Sequence, residues 1–130
     1  MIDQHKPEAP FDYDGRMQAN LVRVFGESNA ERRIAAIREL YAEDAVLYEP
    51  DTSATGHVAI NQAVEALLSS LPPSFVFTAI GPVVGHHGVG RLRWQSGPPN
   101  GPVAVTGTDV ARFEGGFIQT LHVFIDPTGA

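Results

Sequence analysis

The sequence predicts a single α+β domain with helices on one face of an antiparallel sheet, and three observations carry that prediction. Apolar residues recur at helical spacing as far as Leu71, where Pro72-Pro73 ends the pattern. Beyond the prolines the period changes from helical to two. Near the end, Glu114-Gly115-Gly116 makes a tight hairpin turn between the last two strands. Helices first and an antiparallel meander afterwards bury one sheet face against the helices. At 130 residues the chain can enclose one sizeable core, and it contains neither an internal repeat nor a linker.

Residues 1–15 read as a loose N-terminal arm and 16–130 as the domain. From Met17, the positions Leu21, Val22 and Phe25 give a first helix that stops at Gly26. Ser28 followed by Glu31 forms a capping-box pattern and opens a second helix. Its apolar stripe is Ile34, Ile37, Leu40 and Tyr41, with Arg32, Arg33 and Arg38 off the stripe and in solvent. Ala45 to Glu49 is a short strand stopped by Pro50, and Asp51 to Gly56 is rich in turn residues. A third helix follows on Ile60, Val64, Leu67, Leu68 and Leu71. Four strands are expected near 75–84, 86–96, 103–113 and 117–125.

Composition excludes several functions. A formal net charge of −6 argues against a nucleic-acid face, which needs clustered Lys and Arg. The absence of cysteine excludes disulfides, thiolate catalysis and Cys-based zinc sites. No apolar run approaches the roughly 20 residues that span a bilayer, and the polar start is not a signal peptide, so a cytoplasmic location is the default expectation. The histidines form no metal constellation: His86 and His87 are adjacent and face opposite ways in a strand, and His57 suits a capping or surface role. No phosphate loop is present, since Gly85, Gly88 and Gly90 fall within strands. Neither metal nor cofactor is expected.

The strand at 103–113 is the most informative segment. Val103, Val105, Gly107, Asp109, Ala111 and Phe113 share one face, and the other is more polar, so Asp109 points inward. A buried carboxylate must be paired, hydrogen-bonded or protonated, and burial raises its pKa. Asp109 is either a functional acid or a structural acceptor for a loop amide or an Arg. In the preceding strand, Arg91 and Arg93 push Leu92 and Trp94 inward, and Gly88 and Gly90 leave room for a sheet bend or a ligand. Trp94 is either a stacking wall or plain core. Alternation does not decide Glu49: it is the cavity's second carboxylate and a general base, or a solvated strand end. His122 falls with Ile118, Thr120 and Phe124, opposite Leu121, Val123 and Ile125.

Tyr41-Ala42-Glu43-Asp44-Ala45 running into Tyr48-Glu49-Pro50, with Gly56-His57-Val58-Ala59-Ile60, resembles the SnoaL-like and ketosteroid-isomerase-like group of the nuclear-transport-factor-two-like superfamily. Gly107 to Phe113 and Gly116 to Thr120 resemble its last two strands, so the resemblance covers roughly residues 16 to 126. It implies a cystatin-like cone: a curved antiparallel sheet wrapped around three helices, with an internal pocket. It also implies a homodimer through the outer sheet face that bears His122 and Phe124. By this resemblance Glu49 matches a general base and Asp109 a protonated oxyanion donor, as in ketosteroid isomerase. Phe25, Leu92, Trp94, Val105, Gly107, Leu121 and Val123 would line the pocket around a small apolar molecule. The isomerases' tyrosine on the first helix has no match among Leu21, Val22 and Phe25, and the Ser96–Pro102 loop is longer. Three functions follow as expectations: isomerase-type proton transfer, non-catalytic ligand binding, or a dimerisation module.

Overall fold

The computed structural model describes residues 11–127; the arm's residues 1–10 lie outside them. The elements run α1 (Tyr13–Asn20), a π-helical turn (Leu21–Phe25), α2 (Ala30–Leu40), β1 (Tyr41–Glu49), β2 (Thr52–Thr55) and α3 (His57–Ser69). Four long strands follow: β3 (Val76–His86), β4 (Val89–Gly97), β5 (Val105–Glu114) and β6 (Phe117–Ile125). They join in one open sheet of order β2-β1-β6-β5-β4-β3. All neighbours are antiparallel except β1 and β6, which pair in parallel and make the sheet mixed. Curved around the three helices, the sheet makes the α+β cone that the resemblance implies, mixed rather than wholly antiparallel.

The first helix starts at Tyr13 rather than near Met17, because Asp12 caps it by accepting from the Gly15 amide at 2.8 Å. Its last turn widens to a π-turn, closed by the Gly26 amide on the Leu21 carbonyl at 2.9 Å. That turn buries Leu21, Val24 and Phe25 together. The second helix is capped by Asn29, not Ser28, for the Asn29 side chain accepts from the Arg32 amide at 2.9 Å. Arg33 also departs from expectation. It is fully buried on the face with Ala36, Ile37 and Leu40, because Asn61, Glu65 and the Glu27 carbonyl receive its guanidinium. Tyr41 belongs to β1, which runs back to Leu40 without a loop.

Three further corrections come from turns and bulges. Thr52–Thr55, read as a turn, pairs with β1 as an edge strand. His87-Gly88 is a second two-residue hairpin, with φ of 50° and 83°, so His86 and His87 do not sit on opposite faces of one strand. Their Nδ1 atoms lie 2.8 Å apart at its tip. In β6 the register slips between Ile118 and Thr120, opposite Phe113 and Arg112. This bulge turns Ile118 into the core, away from His122.

The room expected over the β4 glycines is filled by helix α1. A side chain at Gly90 would meet the Met17 sulfur at 2.7 Å, and one at Gly85 would meet the Tyr13 ring at 2.5 Å. Tyr13 meets Phe11 and Phe113 edge to face and closes that end of the cone with them, and the Tyr13 hydroxyl accepts from the Gly88 amide at 2.7 Å. No helix among the described residues is long and apolar enough to cross a membrane.

Candidate functional site

Toward the other end, sheet and helices part around a cavity of about 220 Å³, lined by both Glu49 and Asp109. Asp109 reaches it because β5 alternates strictly. Gly107, Asp109, Ala111 and Phe113 are all buried, whereas Arg112 and Glu114 are exposed. The acid is 3% exposed, and among the described residues its only hydrogen bond is from the Trp94 Nε1–H at 2.9 Å. No cation faces it. Burial therefore pushes its pKa from the usual 3.8 to about 7, the Trp94 bond opposing part of the rise.

Glu49 shares the inner row of β1 with the buried Ala45 and Leu47, which settles the direction that alternation left open. The parallel register Leu47↔Leu121, Tyr48↔His122 carries Glu49 alongside Val123, and Val123 pairs with Asp109 across β6. The two acids thus stand in one row two strands apart, roughly 10 Å between backbones. Glu49 is half-buried and its pKa is raised by desolvation alone.

Of the expected lining residues, Phe25, Trp94, Val105 and Val123 line this cavity with the two acids. Leu92 and Leu121 are fully buried in the packed core instead. Gly107 lies beneath the Trp94 ring: a Cβ there would come within 2.4 Å of Trp94 Cζ2 and 2.5 Å of the Phe124 carbonyl. Sequence reasoning missed Leu21, Pro50, Leu67, Leu71, Phe77 and Ile125. Leu21 and Leu67 were already on helical stripes, whereas Phe77 became a wall residue only once β3 folded against Trp94, ring centroids 5.7 Å apart.

Gly107 gives the first test. The Phe124 carbonyl is backbone and cannot yield, so Gly107→Ala must displace Trp94 and stretch its bond to Asp109. We expect a loss of about 1–3 kcal/mol in urea unfolding, together with a changed indole N–H resonance. An unchanged stability and indole signal would show that the ring does not depend on this glycine.

The remaining polar groups stay out of the cavity. The buried Tyr41 hydroxyl donates to Asn20 Oδ1 at 2.5 Å, and burial, with the nearby Asp109 charge, pushes its pKa well up. His57 Nε2 donates to the Tyr41 carbonyl at 2.9 Å and ties the start of α3 to β1. Among the described residues no group of three or more His, Asp or Glu could hold a metal ion.

Comparison with known proteins places these features in a family. Residues 22–120 match the family model described as a SnoaL-like domain. A provisionally named isomerase of the SnoaL-like family from Agrobacterium tumefaciens superposes with a TM-score of 0.80 at 26% identity, covering 87% of this chain and 96% of that one. A provisionally named polyketide cyclase from Sinorhizobium meliloti gives 0.65 at 18% identity, over 84% and 93%. A provisionally named ketosteroid isomerase from Kribbella flavida gives 0.69 at 12%, over 92% and 81%. The last two show the fold alone. Among curated proteins, none matches the chain.

Proposed function

Because the chain belongs to the SnoaL-like domain family, we propose that its cavity binds a small apolar carbonyl compound and moves a proton on it without a cofactor. The observation that carries this reading is a carboxyl group buried in an apolar cavity, held among the described residues by one N–H and no cation, with a second carboxylate in the same row. Ionised Glu49 takes a proton from the carbon beside the carbonyl. The electron pair moves onto the carbonyl oxygen, where protonated Asp109 donates a hydrogen bond, and Glu49 returns the proton at another carbon. Asp109 carries the larger shift, so the acid keeps its proton where Glu49 has lost its own. Turnover then rises as Glu49 ionises and falls near pH 7 as Asp109 ionises.

A second reading is non-catalytic binding, and one observation favours it. The helices present no hydroxyl to the cavity, since α1 and its π-turn contribute Leu21 and Phe25, and the Tyr41 and Tyr13 hydroxyls are engaged elsewhere. A carboxyl-resolved NMR titration with and without 2-naphthol separates the readings. The catalytic reading expects Asp109 to titrate near 7 and to shift on naphthol binding. Ordinary titration that ignores the naphthol would end it.

We also propose a homodimer through the outer sheet face. Tyr48 and His122 stack there at 4.6 Å and His122 and Phe124 at 6.2 Å, leaving Tyr48 and Phe124 exposed. Light scattering should give twice the chain mass, and Phe124→Arg should halve it. A monomeric wild-type protein would overturn the proposal.

A further inference from the structure

The carboxylate cavity is too small to be the whole site. Its roughly 220 Å³ lies below the range of about 300–1,000 Å³ usual for ligand pockets. Beside it runs an outer groove of about 600 Å³, between the π-turn and the segment that leads from α3 into β3. Phe25, Leu71 and Phe77 line both spaces and are the wall they share. From that shared wall aromatic rings lead to the acid: Phe25 meets Phe77 at 6.5 Å, Phe77 meets Trp94 at 5.7 Å, and Trp94 donates to Asp109.

The two spaces differ in chemistry. The groove adds Ser28, Ser69 and Ser74 to its apolar wall. No Lys or Arg is among its described lining residues, and its one carboxylate, Glu65, is paired with Arg33. Such a surface offers hydroxyls that both donate and accept, but no unpaired charge to hold an ionic group. We infer that the ligand is elongated and amphipathic: an apolar carbonyl head sits between Glu49 and Asp109, and an uncharged polar tail crosses Phe25, Leu71 and Phe77 into the groove. This rests on the carbonyl-binding reading of the inner cavity. The other way out, past Glu49 and Pro50 toward Tyr48, His122 and Phe124, leads onto the proposed dimer face and is smaller, at about 300 Å³.

Two probes test the inference: 2-naphthol as the head alone, and 2-naphthol carrying an alkyl ether chain that ends in a hydroxyl. The tailed probe should bind the wild type at least ten-fold more tightly. Ser69→Trp fills the groove at an exposed position outside the inner cavity, and Ser74→Trp does so from its other side. Each should abolish the tailed probe's advantage and leave 2-naphthol unchanged. If the tail adds no affinity, or keeps its advantage in both variants, the groove is not its subsite and the inference is overturned while the inner-cavity reading stands. Loss of the advantage in Phe124→Arg instead would send the tail out by the sheet face and overturn it equally. If neither probe binds the wild type, the carbonyl-binding reading fails and the inference with it.

Discussion

Asp109→Asn is expected to stabilise the protein above pH 7 and to erase the alkaline fall in its activity. The asparagine carbonyl can still accept from the Trp94 N–H, and its amide can still donate into the cavity. What disappears is the ionisation. In the folded chain Asp109 holds its proton up to about 7, whereas in the unfolded chain it does so only to about 3.8. Between those values the folded state binds more protons, so wild-type stability falls as pH rises through that window. About three pKa units correspond to up to about 4 kcal/mol, present below the window and lost above it. The variant has no such loss. Its advantage should therefore be small near pH 4 and grow to its full value near pH 8, as read by urea unfolding at both.

Activity should respond differently. Removing an oxyanion donor altogether typically costs about 10²–10³ in turnover. Asp109→Leu should approach that loss, whereas Asp109→Asn should lose less, because an amide still donates. A stability difference between Asp109→Asn and wild type that does not change with pH would mean that Asp109 is ionised throughout. The donor role would then be untenable. The reverse pattern, with Asp109→Asn unstable at every pH, would mark Asp109 as a structural acceptor.

Why Asp109 could be found in the sequence and other site features could not follows from the range of the interactions involved. Asp109, Leu92 and Trp94 sit in strands where one face is apolar and the other carries Arg or Thr, so a period of two assigns their direction locally. Glu49 lies on a strand apolar on both faces, since Val46 packs on one side and Leu47 on the other. Its direction depends on the parallel pairing with β6, which no local pattern encodes. Ile118 was misplaced because one extra residue at Gln119 reverses the alternation on either side of it. Gly90 signalled a bend or room for a ligand and Gly107 an inward position on β5, but only the fold says what approaches them: Tyr13 and Met17 in the first case, the Trp94 ring in the second. The inner cavity was legible in part, and the outer groove was not, because its walls come from the π-turn, α3 and β3 at once.

Arg33 is the residue for which local pattern misled most, and its replacement should cause a large loss of stability. An arginine among charged neighbours on a helix reads as solvated; here its side chain is wholly buried. Its Nε donates to Asn61 Oδ1 at 2.7 Å, Nη1 to the Glu27 carbonyl at 2.8 Å, and Nη2 to Glu65. The partners on α3 lie 28 and 32 residues away, which is why only the folded chain reveals them. Glu65 is half in solvent, so its ion pair contributes less than a buried one would. The greater losses in Arg33→Ala are the unpaired Glu27 carbonyl and the void left by the guanidinium. Together these give about 3 kcal/mol in urea unfolding. Arg33→Met restores the volume but not the hydrogen bonds and should lose roughly half as much. Arg33→Lys keeps the charge without the planar fork and should fall between Met and wild type. The same clamp fixes α2 against α3, and α3 carries Leu67, a wall of the inner cavity, and Ser69, a wall of the groove. Arg33→Ala should therefore weaken 2-naphthol binding even under conditions where the variant remains folded. A loss below about 1 kcal/mol, well under what burying an unpaired polar group costs, would instead show that water replaces the guanidinium. The two helices would then be held by the Asn61 amide on the Ala30 carbonyl and by the buried Ile37, Ile60 and Val64.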